Sequence, residues 1–155
     1  MIDMREAFHV GVRVVDLDAA MSDLSVALDI KWASPRTNEA QPIWTPTAGA
    51  EEVPLRYCYS VEGPLHIELV ESSGGSFWDG SDQPGNHHVG IWVDDVAAEA
   101  DSLIYQGWTL MACRAAPTGK DRYGLFAYLQ PPTGILIEIV SRELLPKFEA
   151  WWAGG

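Results

Sequence analysis

From Phe8 to Val14 the chain alternates, with His9, Gly11 and Arg13 on one side of an extended backbone and Val10, Val12 and Val14 on the other, so the pattern predicts a half-buried strand. Asp16 then reads as a helix N-cap, and Leu17, Met21, Leu24 and Leu28 form one helical stripe suited to cover the outside of a sheet. Prolines 35, 42, 46 and 54, with Trp32 and Trp44 between them, predict a short strand followed by a long irregular excursion between residues 30 and 54. Leu55 to Val61 and Leu65 to Glu71 read as a hairpin around Glu62-Gly63-Pro64, with His66, Glu68 and Val70 on one face.

The plan then repeats. FHVGVRV from Phe8 returns as HHVGIWV from His87, and LHIELVE from Leu65 returns as ILIEIVS from Ile135. After a Gly-, Ser- and Asp-rich linker over residues 74 to 86 come a strand to Val93, an N-cap at Asp95 and a helix to about Gln106. Strands follow near Thr109 to Arg114, Leu125 to Gln130 and Ile135 to Ser141. The fold class is therefore α+β: two tandem βαβββ modules, residues 8–73 and 86–142, forming a curved mixed sheet or half-barrel around a central cavity. They make one domain over residues 1–155, with a tail at 143–155 whose Leu144, Phe148 and Trp151 or Trp152 suit a short helix that caps the body or meets another subunit.

A chain of 155 residues with 47% hydrophobic positions has the means to fill one core. Its net charge of −12, with no Lys/Arg run, argues against nucleic acid and anionic membranes as partners and leaves a small-molecule substrate as the expected one. No apolar stretch approaches the roughly 20 residues of a membrane span, and MIDMREAFHV lacks the layout of a signal peptide. Two cysteines in no CxxC spacing read as reduced thiols, which points to the cytoplasm.

The repeat carries the chemistry. His9 and His88 occupy equivalent places, as do Glu68 and Glu138, so each module offers a histidine early and a carboxylate late. A histidine or glutamate alone in an apolar strand is more often a packing or edge residue. Four at equivalent places differ, because two carboxylates buried in such strands cost several kcal/mol unless a cation or hydrogen bonds compensate. Strand parity lets all four point into one cavity, predicting a site for one divalent ion: Zn, Ni, Co, Mn or Fe.

On these motifs, FHVGV, LHIELVE, NHHVGIWVDD and GILIEIVS, the chain resembles the vicinal oxygen chelate superfamily, the glyoxalase and bleomycin-resistance fold, over essentially its whole length. The resemblance places His9, Glu68, His88 and Glu138 on that superfamily's metal positions, and the PTGKDRYGLFAYLQPPTGILIEIVS ending is most similar to methylmalonyl-CoA epimerase-like and glyoxalase I-like members. It implies an isomerase, epimerase or lyase in which the metal holds two neighbouring substrate oxygens, Glu138 is ligand and base, and Glu68 is a second acid–base group. The epimerases bring a further carboxylate from the strand near Val53 to Cys58, where this sequence has Leu55 and Arg56; Glu51 or Glu52 replaces it only if the long loop folds inward. Glu68 stands where those epimerases carry an amide, which is nearer to glyoxalase I. Paired subunits are common in the superfamily, so the resemblance also implies a homodimer.

Further candidates for substrate binding are Arg13 as an anion anchor, Trp92 as an apolar wall, His66 as a partner behind Glu68, and Lys120, Arg122 and Tyr123 in a Gly-flanked loop suited to closing over substrate. The alternative function is a noncatalytic, resistance-type protein that sequesters an aromatic small molecule.

Overall fold

Strand β1 (Ala7–Arg13) carries the first alternation and sits between its own module and the next: it runs parallel to β4 (His66–Glu71) and antiparallel to β5 (Gly85–Val93). The computed structural model describes residues 1–154. The remaining elements are α1 (Leu17–Leu28), β2 (Arg36–Thr45), β3 (Gly49–Tyr59), α2 (Val96–Tyr105), β6 (Thr109–Ala115), β7 (Tyr123–Gln130), β8 (Ile137–Ser141) and α3 (Leu145–Trp152). The eight strands close in the order β1-β4-β3-β2-β6-β7-β8-β5. The curved mixed sheet expected from sequence is thus present and its edges close into a barrel, because β1 meets β5 along most of its length and β2 meets β6 at Trp44 and Cys113.

Parity separates two kinds of interior. The outward Val89, Ile91, Val93, Ile137 and Ile139 pack with Val96, Ala100 and Leu103 of α2, and Leu17, Met21 and Leu24 of α1 pack on Leu69 and Cys58. Leu28, assigned to the same stripe, is exposed, since α1 ends there with Asp29 in a left-handed conformation. Asp16 and Asp95 cap the two helices by accepting from the backbone N–H groups of Ala19 and Ala98, each at 2.9 Å. Cys58 and Cys113 are free and buried. Burial pushes both thiols up to about 12, so they remain protonated packing groups.

The expected irregular excursion is instead a long hairpin of β2 and β3, with Pro42 opposite Glu52. Strand β2 tolerates Pro42 because a register shift lies between Asn38 and Gln41 and its other neighbour, β6, pairs with it only at Trp44. Trp32 makes only an isolated bridge to Ser60. The tail forms a 3-10 turn (Arg142–Leu144) and α3, whose Phe148 and Trp151 join Phe8, Tyr59, Trp92 and Val140 in an aromatic cluster over one part of the barrel. Among the described residues, no helix is long and apolar enough to cross a membrane.

Candidate metal centre

The register places the four donors. His9 lies opposite Gly90 and Gly11 opposite His88 on the β1–β5 ladder; Glu68 flanks Gly11 on β4, and Glu138 flanks Gly90 on β8. All four side chains are buried, both histidines almost completely. Their inward atoms converge: His9 Nε2 is 2.9 Å from His88 Nε2, 3.4 Å from Glu68 Oε2 and 3.1 Å from Glu138 Oε2. His88 Nε2 is 3.1 Å from Glu68 Oε2 and 3.3 Å from Glu138 Oε2. The four donor atoms lie within 4.8 Å of one another.

These distances fit a cation. Donors at about 2.1 Å from an ion stand about 3.0 Å apart at right angles and about 3.4 Å apart in a tetrahedron; the four imidazole–carboxylate separations fall in that range and the imidazole pair, at 2.9 Å, lies just below it. Hydrogen bonding within the cluster is incomplete: among the described residues, buried Glu68 Oε2 has no aligned donor although two imidazoles lie nearby. The donor set, two imidazoles and two carboxylates, suits one divalent ion of the Zn, Ni, Co, Mn or Fe class.

Two glycines make this convergence possible. A Cβ at Gly90 would lie 1.8 Å from His9 Cε1, and one at Gly11 would lie 2.0 Å from His88 Cε1. Each module's glycine therefore houses the other module's imidazole. Strand alternation alone puts both glycines on the inward faces without revealing this role; the His-x-Gly spacing shared by the two repeats is the available signal.

Behind the donors stand orienting groups. Tyr59 donates its hydroxyl proton to Glu68 Oε1 at 2.5 Å, while Tyr128 lies against Glu138 and accepts from Trp78 Nε1 at 3.0 Å. Burial pushes both phenols well above their usual range, and the neighbouring carboxylates push the same way, so each stays a donor. His88 Nδ1 is 3.0 Å from His87 Nδ1, a contact that leaves His88 Nε2 turned to the centre; burial drives His87 down to about 3, so it is neutral, and its Nδ1 accepts whenever His88 Nδ1 carries a proton. Tyr59→Phe is expected to weaken metal binding about 10- to 100-fold by freeing the Glu68 carboxylate. Competition with a chromogenic chelator measures it, and unchanged affinity would remove Tyr59 from the centre.

Charge couples the centre to pH. Burial favours neutral imidazoles, but Glu138 and Glu68 together outweigh it and raise His88 to about 9; His9 is raised as well, Glu68 contributing most. Against the same burial, the imidazoles hold both carboxylates well below their usual range, so these remain ionised throughout neutral pH. In the metal-free protein the imidazolium contribution to stability is fully present below 6.5 and is lost as pH rises through about 9. A metal needs neutral imidazoles, so its affinity climbs over the same interval. Melting curves with and without Zn(II) are therefore expected to show a metal-induced gain that widens from pH 6 to 9; a constant gain would contradict this electrostatic picture.

Above the donors lies a cavity of about 260 Å³. Glu68 and Glu138 form part of its lining, Phe8, Tyr57, Phe126, Tyr128 and Phe148 give aromatic walls, and Arg36, Arg114 and Lys147 also face it. Leu55 stands in the wall, whereas Glu51 and Glu52 are exposed on β3 and supply no further carboxylate. Other sequence candidates lie elsewhere. Arg13 reaches toward the Phe77 carbonyl and Gln83, each at 3.5 Å, outside the cavity lining. Trp92 stacks on Phe8 at 3.8 Å and so backs the wall instead of forming it. His66 is buried against Trp152, its rings 3.8 Å apart, and its Nδ1 is 2.7 Å from the Ser60 carbonyl. The structure does not bring Lys120, Arg122 or Tyr123 to the cavity: Arg122 and Tyr123 bind Asp101 of α2 at 2.5 and 2.9 Å on the outer face, and Lys120 is exposed.

Residues 8–126 match the family model for the glyoxalase/bleomycin resistance protein/dioxygenase superfamily. Solved structures with the same fold include a hypothetical protein from Bacillus halodurans C-125, 20% identical, with a TM-score of 0.63 over 88% of this chain and 93% of that one. Methylmalonyl-CoA epimerase from Mycobacterium tuberculosis is 21% identical, with a TM-score of 0.62 over 94% of this chain and 97% of that one. A Streptomyces coelicolor methylmalonyl-CoA epimerase variant in complex with 2-nitronate-propionyl-CoA, also 21% identical, has a TM-score of 0.60 over 88% and 96%. Among curated proteins, none matches the sequence.

Proposed function

The chain belongs to the glyoxalase/bleomycin resistance protein/dioxygenase superfamily, and from that premise we propose that it is a metal-dependent isomerase, epimerase or lyase that moves a proton on a small oxygen-rich substrate. One observation carries the reading: two imidazoles and two carboxylates from both modules aim at one buried point, and both carboxylates also line the cavity. The ion, when bound, supplies Lewis acidity that lowers the pKa of a C–H bond beside the substrate's oxygens.

The chain's own residues do the rest. Glu138 is the proposed base, with Tyr128 beside it to steady the carboxylate as a proton arrives. Glu68 is the proposed second acid–base group on the opposite side, held through Tyr59; ionised at rest, it draws a proton from solvent before it returns one to carbon. The aromatic walls limit water around the reacting carbon. Both modules lie in one chain, so a homodimer, if it forms, is not needed to complete the donor set.

Proton exchange with solvent reports the chemistry across a whole class of substrates. Protein loaded with each of the five ions is incubated in D2O with methylmalonyl-type thioesters, 2-oxo acids and 2-hydroxy acids, and deuterium at the carbon beside the carbonyl is read by NMR. Incorporation that a chelator abolishes is expected. No exchange with any ion, together with metal-independent tight binding of an aromatic compound, would replace this reading with sequestration.

A further inference from the structure

Cations are scarce in this chain, ten against 22 acidic residues, and their placement is uneven. Arg5, Arg56, Arg122 and Arg142 each hold a carboxylate. Arg36, Arg114 and Lys147 come from three separate elements, β2, β6 and α3, yet all line the cavity over the metal centre. Among the described residues, none of the three has a carboxylate within salt-bridge distance. Arg36 lies 3.8 Å over the Trp151 ring, which steadies its guanidinium without neutralising it. The only acids in the cavity lining, Glu68 and Glu138, are turned to the histidine pair.

Three cations without an ion-pair partner among the described residues line one apolar-walled cavity, Arg114 half-buried and Arg36 and Lys147 exposed; in a chain with a net charge of −12 they mark a place for negative charge brought by a ligand. We propose that Arg36, Arg114 and Lys147 form an oxyanion subsite, so that the substrate carries a carboxylate or phosphate remote from the carbon that loses its proton. The inference rests on the metal-dependent reading above and narrows its substrate class. The register sets a scale: Ala112, Tyr128 and Glu138 lie in one row across β6, β7 and β8, and Arg114 is two residues beyond Ala112. That offset is about 7 Å along the strand and roughly 10 Å across two strand spacings, which the long Arg114 side chain, reaching the same cavity, shortens toward the length of a six-membered ring with a substituent at each end. The anion anchor expected at Arg13 from sequence is thus supplied by residues of the hairpin, the second module and the tail.

A metal-chelating probe of that length separates the subsite from the centre. Benzohydroxamate offers two adjacent oxygens and an aryl ring; its 4-carboxy and 4-phosphono derivatives add the remote anion. On the Zn(II)-loaded protein, calorimetry is expected to show at least one derivative binding about tenfold more tightly than the parent at low salt. The derivative with the larger gain names the oxyanion. That gain is expected to vanish in Arg114→Gln/Lys147→Gln while affinity for benzohydroxamate itself is unchanged. Equal binding of parent and derivatives would overturn the subsite and leave the metal centre standing. Failure of all three to bind would overturn the metal reading, and the subsite as a substrate anchor with it.

Discussion

Alanine at Gly90 is expected to abolish stoichiometric metal binding, lowering affinity by on the order of 100-fold or more, although it adds only one uncharged methyl group. The cause is steric. The new Cβ would occupy space 1.8 Å from His9 Cε1 and 2.2 Å from Nδ1. The ring has little room to retreat, with Phe8 and Tyr59 set edge-on at centroid distances of 4.3 and 5.4 Å. Either His9 swings off the shared point or the β1–β5 ladder opens, and both lose a donor. Gly11→Ala is expected to do the same to His88. Co(II) absorption and metal stoichiometry measure the loss, with circular dichroism reporting the fold. Because Gly90→Ala acts through His9, the double variant with His9→Ala is expected to bind metal no worse than His9→Ala alone. Wild-type affinity in Gly90→Ala would show that the imidazole does not need this space.

Glu138→Gln is expected to reduce deuterium exchange by about 10²- to 10⁴-fold, the range over which a positioned base acts, after metal content has been restored by excess ion. Glutamine keeps the shape and an oxygen donor but has no basic carboxylate to accept the proton. Glu68→Gln serves as its counterpart: if the two carboxylates address opposite faces, a substrate that inverts configuration is expected to retain exchange and lose inversion. Full exchange activity in metal-loaded Glu138→Gln would remove it as the base and shift attention to Glu68, the other carboxylate in the lining.

The hairpin of β2 and β3 shows where sequence patterning misleads. Four prolines suggest an irregular excursion, but a strand paired on one side for most of its length has backbone positions whose missing N–H breaks no ladder. The consequence is functional, since Arg36 on β2 then escapes notice as a site residue. Arg114 and Lys147 escape it for another reason: neither stands in a motif, and only the curvature of the barrel and the return of α3 bring them to the same cavity. Arg122 and Tyr123 show the converse, a promising loop that Asp101 fastens to the outside of α2.

The repeated His-x-Gly strands and late glutamates determined, from sequence alone, which four side chains share the inward faces, because strand parity is a local property with a period of two. Capping aspartates and the two helices were equally local. What only the tertiary structure decided was distance: pairing between β1 and β5, far apart along the chain, brought imidazoles 79 positions apart to 2.9 Å and nested each against the other module's glycine. Closure of the barrel then selected which cations face the cavity. Register and closure arise from contacts between remote segments, and no window along the chain contains both partners.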